Sequence, residues 1–199
     1  MEKVGWRSRG YLPHFHSREL IQSVTFRLGD SVPQEKLEAW KKDVRCTSAR
    51  VLWNVVENYL DRNYGSCVLK HDDNARIVEE SLLFFDATRY RMWAWCVMPN
   101  HVHALFEPLE PHDLSTILHS WKSFSSNAIH RSWGVKGSLW QVEYFDRFIR
   151  SEAHFNRALH YIEQNPVKAG LCQKPEDWPR SSARFGSTVG AQASSLHKI

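Results

Sequence analysis

The sequence predicts a mixed α+β domain built around a largely antiparallel sheet. Segments with the period-two or aromatic and β-branched signature of strands alternate with longer segments of helical period, in the order βα(α)αββαβα. Two of the strands are separated only by Pro99-Asn100, punctuation that turns the chain back beside itself. The chain has 199 residues, 42% hydrophobic and 24% charged, enough to bury one core at the usual ~100–200 residues per domain.

The elements follow in order. Residues 1–20 read as an irregular N-terminal arm, with Arg7, Arg9 and Arg18 beside Trp6, Tyr11 and Phe15. A single domain is expected over 21–185, and the small, polar residues of 186–199 read as a flexible C-terminal tail. Ile21–Leu28 alternates from Val24 onward, as a half-buried strand does, and stops at Gly29-Asp30. A helix is expected from Pro33 to about Arg45, with Leu37 and Trp40 three apart. A second runs from about Ala49 to Asn63, with Val51, Val55, Tyr59 and Leu60 at helical spacing. Asp72 or Asp73 is the expected cap of a third, which carries Ile77, Val78, Ser81, Leu82 and Phe85.

Tyr90–Met98 and His101–Phe106 are the paired strands. Asp113 is the expected cap of a long helix to about Trp133, broken by Gly134–Gly137. Leu139–Ile149 is a fourth strand, and Ser151 caps a last helix ending near Asn165-Pro166.

Composition excludes several classes. No window approaches the roughly 18–20 uninterrupted apolar residues of a membrane span, and the N-terminus has no apolar signal-peptide core, so membrane and secreted classes are not expected. Cys46, Cys67, Cys96 and Cys172 are far apart, with no C-x-x-C pair, and read as reduced thiols of a cytosolic protein. A formal charge of +4 permits a polyanionic partner without demanding one.

The sharpest local feature is Pro99-Asn100-His101-Val102-His103. Strand positions i and i+2 project from one face, so two imidazoles form half of a metal site there. A His-x-His also arises by chance among eleven histidines, and His14-Phe15-His16 has the same spacing inside the irregular arm. On the last helix, Phe155, Ala158, Leu159 and Ile162 form the core stripe, and Tyr161 and Asn165, four apart, stack on its flank. That tyrosine is equally compatible with amphipathic packing, and that asparagine with a helix end before proline.

A resemblance joins these pieces. Met98-Pro99-Asn100-His101-Val102-His103, Trp140-Gln141 and Tyr161-Ile162-Glu163-Gln164-Asn165-Pro166-Val167-Lys168-Ala169-Gly170-Leu171 together resemble the single-tyrosine His-hydrophobe-His transposases. The match is to the branch associated with repetitive extragenic palindromes (REP), relatives of the small single-tyrosine insertion-sequence transposases. It extends from about Pro13 to Phe185, through Ser120-Trp121-Lys122 and Trp178-Pro179-Arg180-Ser181-Ser182.

The resemblance implies a ferredoxin-like sheet with the histidines on a central strand and a nucleophilic tyrosine on a C-terminal helix. His101 and His103 match the metal ligands, Tyr161 the nucleophile, and Asn165 the position of a third ligand where insertion-sequence relatives usually carry Gln. It further implies Mg²⁺ or Mn²⁺ as cofactor, single-stranded or hairpin DNA as partner, and cleavage and rejoining through a 5′-phosphotyrosine. A bacterial cytoplasmic protein, nucleoid-associated through DNA, is expected, with a monomer favoured and the dimer of the insertion-sequence relatives as the alternative. Tyr144, on the fourth strand, is the rival nucleophile but has apolar Phe148 four residues on. Arg7, Arg9, Lys122, Arg147 and Arg150 are candidate phosphate contacts. A hairpin-binding module that does not cut, and a phosphodiesterase using water, are the competing readings.

Overall fold

The computed structural model describes residues 5–8, 13–16, 20–43, 48–134 and 137–186, the first two segments as backbone only. Among these residues, strands β1 (Gly5–Ser8), β2 (Pro13–His16), β3 (Gln22–Leu28), β4 (Tyr90–Val97), β5 (His101–Pro108) and β6 (Trp140–Phe148) combine with five α-helices. The helices are α1 (Gln34–Lys42), α2 (Ala49–Leu60), α3 (Asp72–Leu83), α4 (Leu114–Trp133) and α5 (Glu152–Lys168). β4-β5-β3-β6 is an antiparallel four-stranded sheet. With α3 before β4 and α4 before β6, this is the ferredoxin-like arrangement expected, and β5 is a central strand.

The sheet separates two cores. On one face Val24, Phe26, Leu28, Trp95, Val97, Val102, Ala104 and Phe106 pack under α3 and α4. On the other, Ala94, Cys96 and Leu105 meet Phe155 and Ile162 of α5. At the β6 end of this second face α2 docks, its Trp53 ring stacked flat on Phe145 with centroids 4.5 Å apart. Trp93 and Ala94 both belong to the α5 side because the β4–β5 register shifts between Met92 and Ala94.

Trp121 of α4 is the pivot of the first core. It is 1% exposed, lies edge-on to Tyr90 and Phe106, and donates its indole N–H to the Tyr90 hydroxyl at 2.9 Å. That hydroxyl in turn donates to the Leu82 carbonyl at 2.9 Å, tying α4 and β4 to α3. Trp121→Ala is expected to cost about 3–5 kcal/mol and to lower the melting temperature by roughly 10 °C. Urea and thermal unfolding measure it, and Trp121→Phe should lose less.

Several expectations are corrected. The arm read as irregular contains a two-stranded antiparallel pairing, Gly5 opposite His16 and Ser8 opposite Pro13. Pro13 fits because a first strand residue at an edge need not donate. Arg7 and His14 thus pair across backbone strands, while Arg9 and Arg18 lie outside the described residues. The buried stripe of α2 is Leu52, Trp53, Val56 and Leu60, one step around from the expected one, and Val51 is exposed. The Trp53–Phe145 stack sets that rotation. Asp72 does not cap α3; the cap position is His71, and the Asp72 carboxylate pairs with Arg180 instead.

α5 also runs through Pro166 rather than ending before it. The proline lacks an N–H, but the final turn is closed beyond it by Leu171 N–H to Pro166 O (2.9 Å) and Gly170 N–H to Val167 O (3.0 Å). Gly170, at φ +70°, supplies the left-handed residue that this closure requires. By contrast, Asp113 and Ser151 cap α4 and α5 as expected, accepting from Thr116 N–H and His154 N–H. Among the described residues no helix is long and apolar enough to cross a membrane.

Candidate active site

Register places the histidines. Thr25 of β3 lies opposite His103 and Arg27 opposite His101, so both imidazoles share the α5 face while Val102 enters the α3–α4 core. His101 is 0% and His103 1% exposed. Asn100 fixes the first ring. Its amide nitrogen donates to the carbonyls of Leu60 (3.2 Å) and Tyr64 (3.0 Å), leaving its oxygen to accept from His101 Nδ1 at 2.7 Å. His101 Nε2 therefore carries a lone pair. His103 Nδ1 lies 2.8 Å from the Thr25 hydroxyl, and the two Nε2 atoms converge to 3.0 Å.

Burial, with the Lys168 charge, holds both imidazoles neutral. The His103 pKa is pulled down to about 3, first by burial, and His101 is lowered well below its ordinary value by burial and then by His103. Neutral imidazole is the form that binds metal.

α5 brings its residues over this pair. The Tyr161 ring stands edge-on to His103, centroids 5.6 Å apart. One turn on, Asn165 is fully buried, and neither atom of its amide has a hydrogen-bond partner. A buried unpaired polar group costs about 1–3 kcal/mol, a cost that a ligand held by the Asn165 amide would remove. The donor set fits a divalent cation. Two imidazole nitrogens 3.0 Å apart are spaced as neighbouring ligands with bonds of roughly 2.1 Å, and an amide oxygen suits the same hard ions. Among the described residues no group of three His, Cys, Asp or Glu is placed to hold a metal ion.

The Tyr161 hydroxyl is also buried without a hydrogen-bond partner. Its pKa is raised far above the ordinary value by burial, then by the Glu57 carboxylate. The Lys168 ammonium lies 5.6 Å over its ring and is paired with Asp61 at 2.7 Å. A cleft of about 280 Å³ opens beside Tyr161 and His103, with Arg50, Glu57, Arg147 and Arg157 in its wall. It adjoins a second hollow lined by Arg50, Arg147, Arg150 and Arg157.

Tyr144 is on the wrong side. It pairs with Phe26 and packs into the α3–α4 core, across the sheet from the histidines. Lys122 is there too. Its ammonium donates to the carbonyls of Gln141 (2.9 Å) and Val142 (3.1 Å), and burial pulls its pKa down to about 8. Its placement ties α4 to β6 and does not support a phosphate contact in this cleft. Arg147 and Arg150 do flank the α5 face; nothing is described of the Arg7 side chain.

Sequence reasoning missed Thr25, Asn100, Arg50, Arg157 and Glu57. Asn100, adjacent to His101, carried a local signal. The others approach through register and helix packing alone.

The model of the family described as IS200-like transposases matches residues 62–165, just over half of the chain. The chain belongs to that family. A REP-associated tyrosine transposase of Escherichia coli (strain K12) is 31% identical over 90 residues, covering 45% of this chain and 52% of that protein. A putative REP-associated tyrosine transposase of Haemophilus influenzae is 28% identical over 102 residues, covering 45% of this chain and 56% of that protein. The chain thus spans about half the length of the curated relatives it matches. A solved REP-associated tyrosine transposase bound to a REP hairpin shares the fold, with TM-score 0.58 at 18% identity over 89% of this chain and 84% of that one. This IS200-like chain carries all of its candidate ligands and its candidate nucleophile within the matched span.

Proposed function

We propose that the chain is a metal-dependent DNA strand-transferase that cuts and rejoins single-stranded or hairpin DNA, with Tyr161 as nucleophile and His101, His103 and Asn165 as ligands of Mg²⁺ or Mn²⁺. The observation that carries this reading is the orphaned Asn165 amide, one turn from Tyr161 on the helix that covers the histidine pair. The bound cation would polarise the scissile phosphate and neutralise its developing charge. His101 and His103, held neutral and oriented by Asn100 and Thr25, keep their Nε2 atoms directed to one point. Tyr161 attacks phosphorus in line, giving a 5′-phosphotyrosine and a free 3′-hydroxyl. The phosphodiester energy stays in the tyrosyl ester, so a second 3′-hydroxyl can reverse the step without ATP.

Arg147 and Arg150, with Arg50 and Arg157, line the approach and would bind the DNA backbone. The hairpin class follows the solved relative that is bound to a REP hairpin. A monomer in the bacterial cytoplasm is part of the proposal. The C-terminal end of the outer edge of β4 is covered by residues 178–182 of the same chain, through Val97 N–H to Arg180 O (2.9 Å) and Trp178 Nε1 to Val97 O (3.0 Å), which keeps that end from pairing with a second copy.

The test incubates the protein with labelled single-stranded hairpin DNA and separates the products on a denaturing protein gel. A covalent protein–DNA band is expected with Mg²⁺ or Mn²⁺, absent with EDTA and restored by adding the metal back. Metal-dependent cleavage without a covalent band would instead give a hydrolase using water. Binding without cleavage would give a recognition module.

A further inference from the structure

We propose that Glu57 is the proton acceptor for the Tyr161 hydroxyl during that attack, and the donor that returns the proton when the strand is rejoined. The inference rests on Tyr161 being the nucleophile. Glu57 lies on α2, outside the span that matches the family and outside the motifs around His101 and Tyr161.

Geometry puts it there. Glu57 shares the wall of the 280 Å³ cleft with Tyr161 and His103. Of the charged groups around the buried hydroxyl, its carboxylate acts on it most strongly, and it stands close enough to act as an acceptor for that hydroxyl without forming a well-aligned hydrogen bond. Contacts of this kind often tighten only when substrate enters. Lys168 could have claimed the carboxylate, but its ammonium is paired with Asp61 one turn along α2. The other charged or titratable groups facing the cleft are Arg50 of α2, His103 of β5, Arg147 of β6, and His154 and Arg157 of α5. None of these is a suitable base: the arginines stay protonated, His103 is a proposed ligand, and His154 is surrounded by Arg147, Arg157 and Arg150.

The chemistry needs such a group. A phenol, with an ordinary pKa of about 10, is protonated near neutrality, so its proton must leave as the bond to phosphorus forms. The Tyr161 O–H bond breaks toward a Glu57 oxygen while Oη–P forms and P–O3′ breaks, the 3′-oxygen taking a proton from water. Rejoining runs the same transfers backwards: the attacking 3′-hydroxyl loses its proton to hydroxide, giving water, and Glu57 protonates the departing tyrosyl oxygen. Burial raises the Glu57 pKa, against the opposing effects of Tyr161 and Lys168, which makes it a stronger base than an exposed carboxylate.

The experiment compares wild type, Glu57→Gln, Glu57→Asp and Tyr161→Phe for the rate of adduct formation between about pH 4 and 9, with hairpin affinity measured alongside. Glu57→Gln is expected to slow adduct formation about 10²-fold near neutrality, with hairpin affinity kept, and the deficit should shrink as hydroxide rises. Glu57→Asp, which keeps the carboxylate, should recover part of the rate. Wild type should lose rate on the acid side as Glu57 protonates, and that limb should vanish in Glu57→Gln. A Glu57→Gln rate equal to wild type across the range, with Tyr161→Phe inactive, would overturn this assignment alone. Equal loss in Glu57→Gln and Glu57→Asp with the acid limb unchanged would also overturn it, reducing Glu57 to a packing role. An adduct that persists in Tyr161→Phe would remove the underlying reading instead.

Discussion

Tyr161→Phe is expected to abolish the covalent protein–DNA species, lowering cleavage by at least about 10⁴-fold, the scale on which removal of a covalent nucleophile reads out. The substitution deletes one oxygen and keeps the ring that packs edge-on to His103. Because that oxygen is buried and unpaired, its removal should leave stability unchanged or raise it by up to about 1 kcal/mol. Loss of activity with no loss of melting temperature is therefore the combined signature. Tyr144→Phe is the matched control: Tyr144 sits across the sheet, so its adduct yield should follow wild type. Quantifying the covalent band and the melting temperature of both variants measures the prediction.

The second large effect concerns the ligands. His103→Ala and Asn165→Leu should each lower metal-dependent cleavage by about 10³-fold, equivalent to about 4 kcal/mol of transition-state stabilisation. Asn165→Leu has a further consequence. It replaces a fully buried amide without partners by an apolar side chain of similar size, so the variant should be more stable by about 1 kcal/mol while losing function. Thermal unfolding and Mn²⁺ titration of the metal-free protein check both halves. Wild-type Mn²⁺ affinity in Asn165→Leu would remove Asn165 from the ligand set.

How much of this was legible in the sequence depends on the range of the interactions. Local periodicity and capping were sufficient for the four sheet strands and for α4 and α5, because Asp113 and Ser151 bond to backbone three residues away. The His101–His103 pair and the Tyr161–Asn165 pair were legible for the same reason, each being fixed by the period of its own element. What joins the two pairs is the packing of α5 on β4 and β5, and only the resemblance pointed to it. Glu57, 104 positions from Tyr161, reaches the site through α2 docking Trp53 on Phe145. Nothing near it in the chain marks it. The roles of Lys122 and Tyr144 turned on which face of β6 they meet, a matter of register rather than residue type. The helix end expected at Asn165-Pro166 failed because Gly170 and Leu171 close the last turn beyond the proline.

Tyr161 is the residue expected to carry the DNA. The most direct test is to trap the adduct on hairpin DNA with Mn²⁺, digest protein and DNA, and map by mass spectrometry the peptide bearing the residual nucleotide. A 5′-linked phosphate is expected on Tyr161 and on no other residue. A phosphate on Tyr144, or a cleaved strand with no modified peptide, would contradict it.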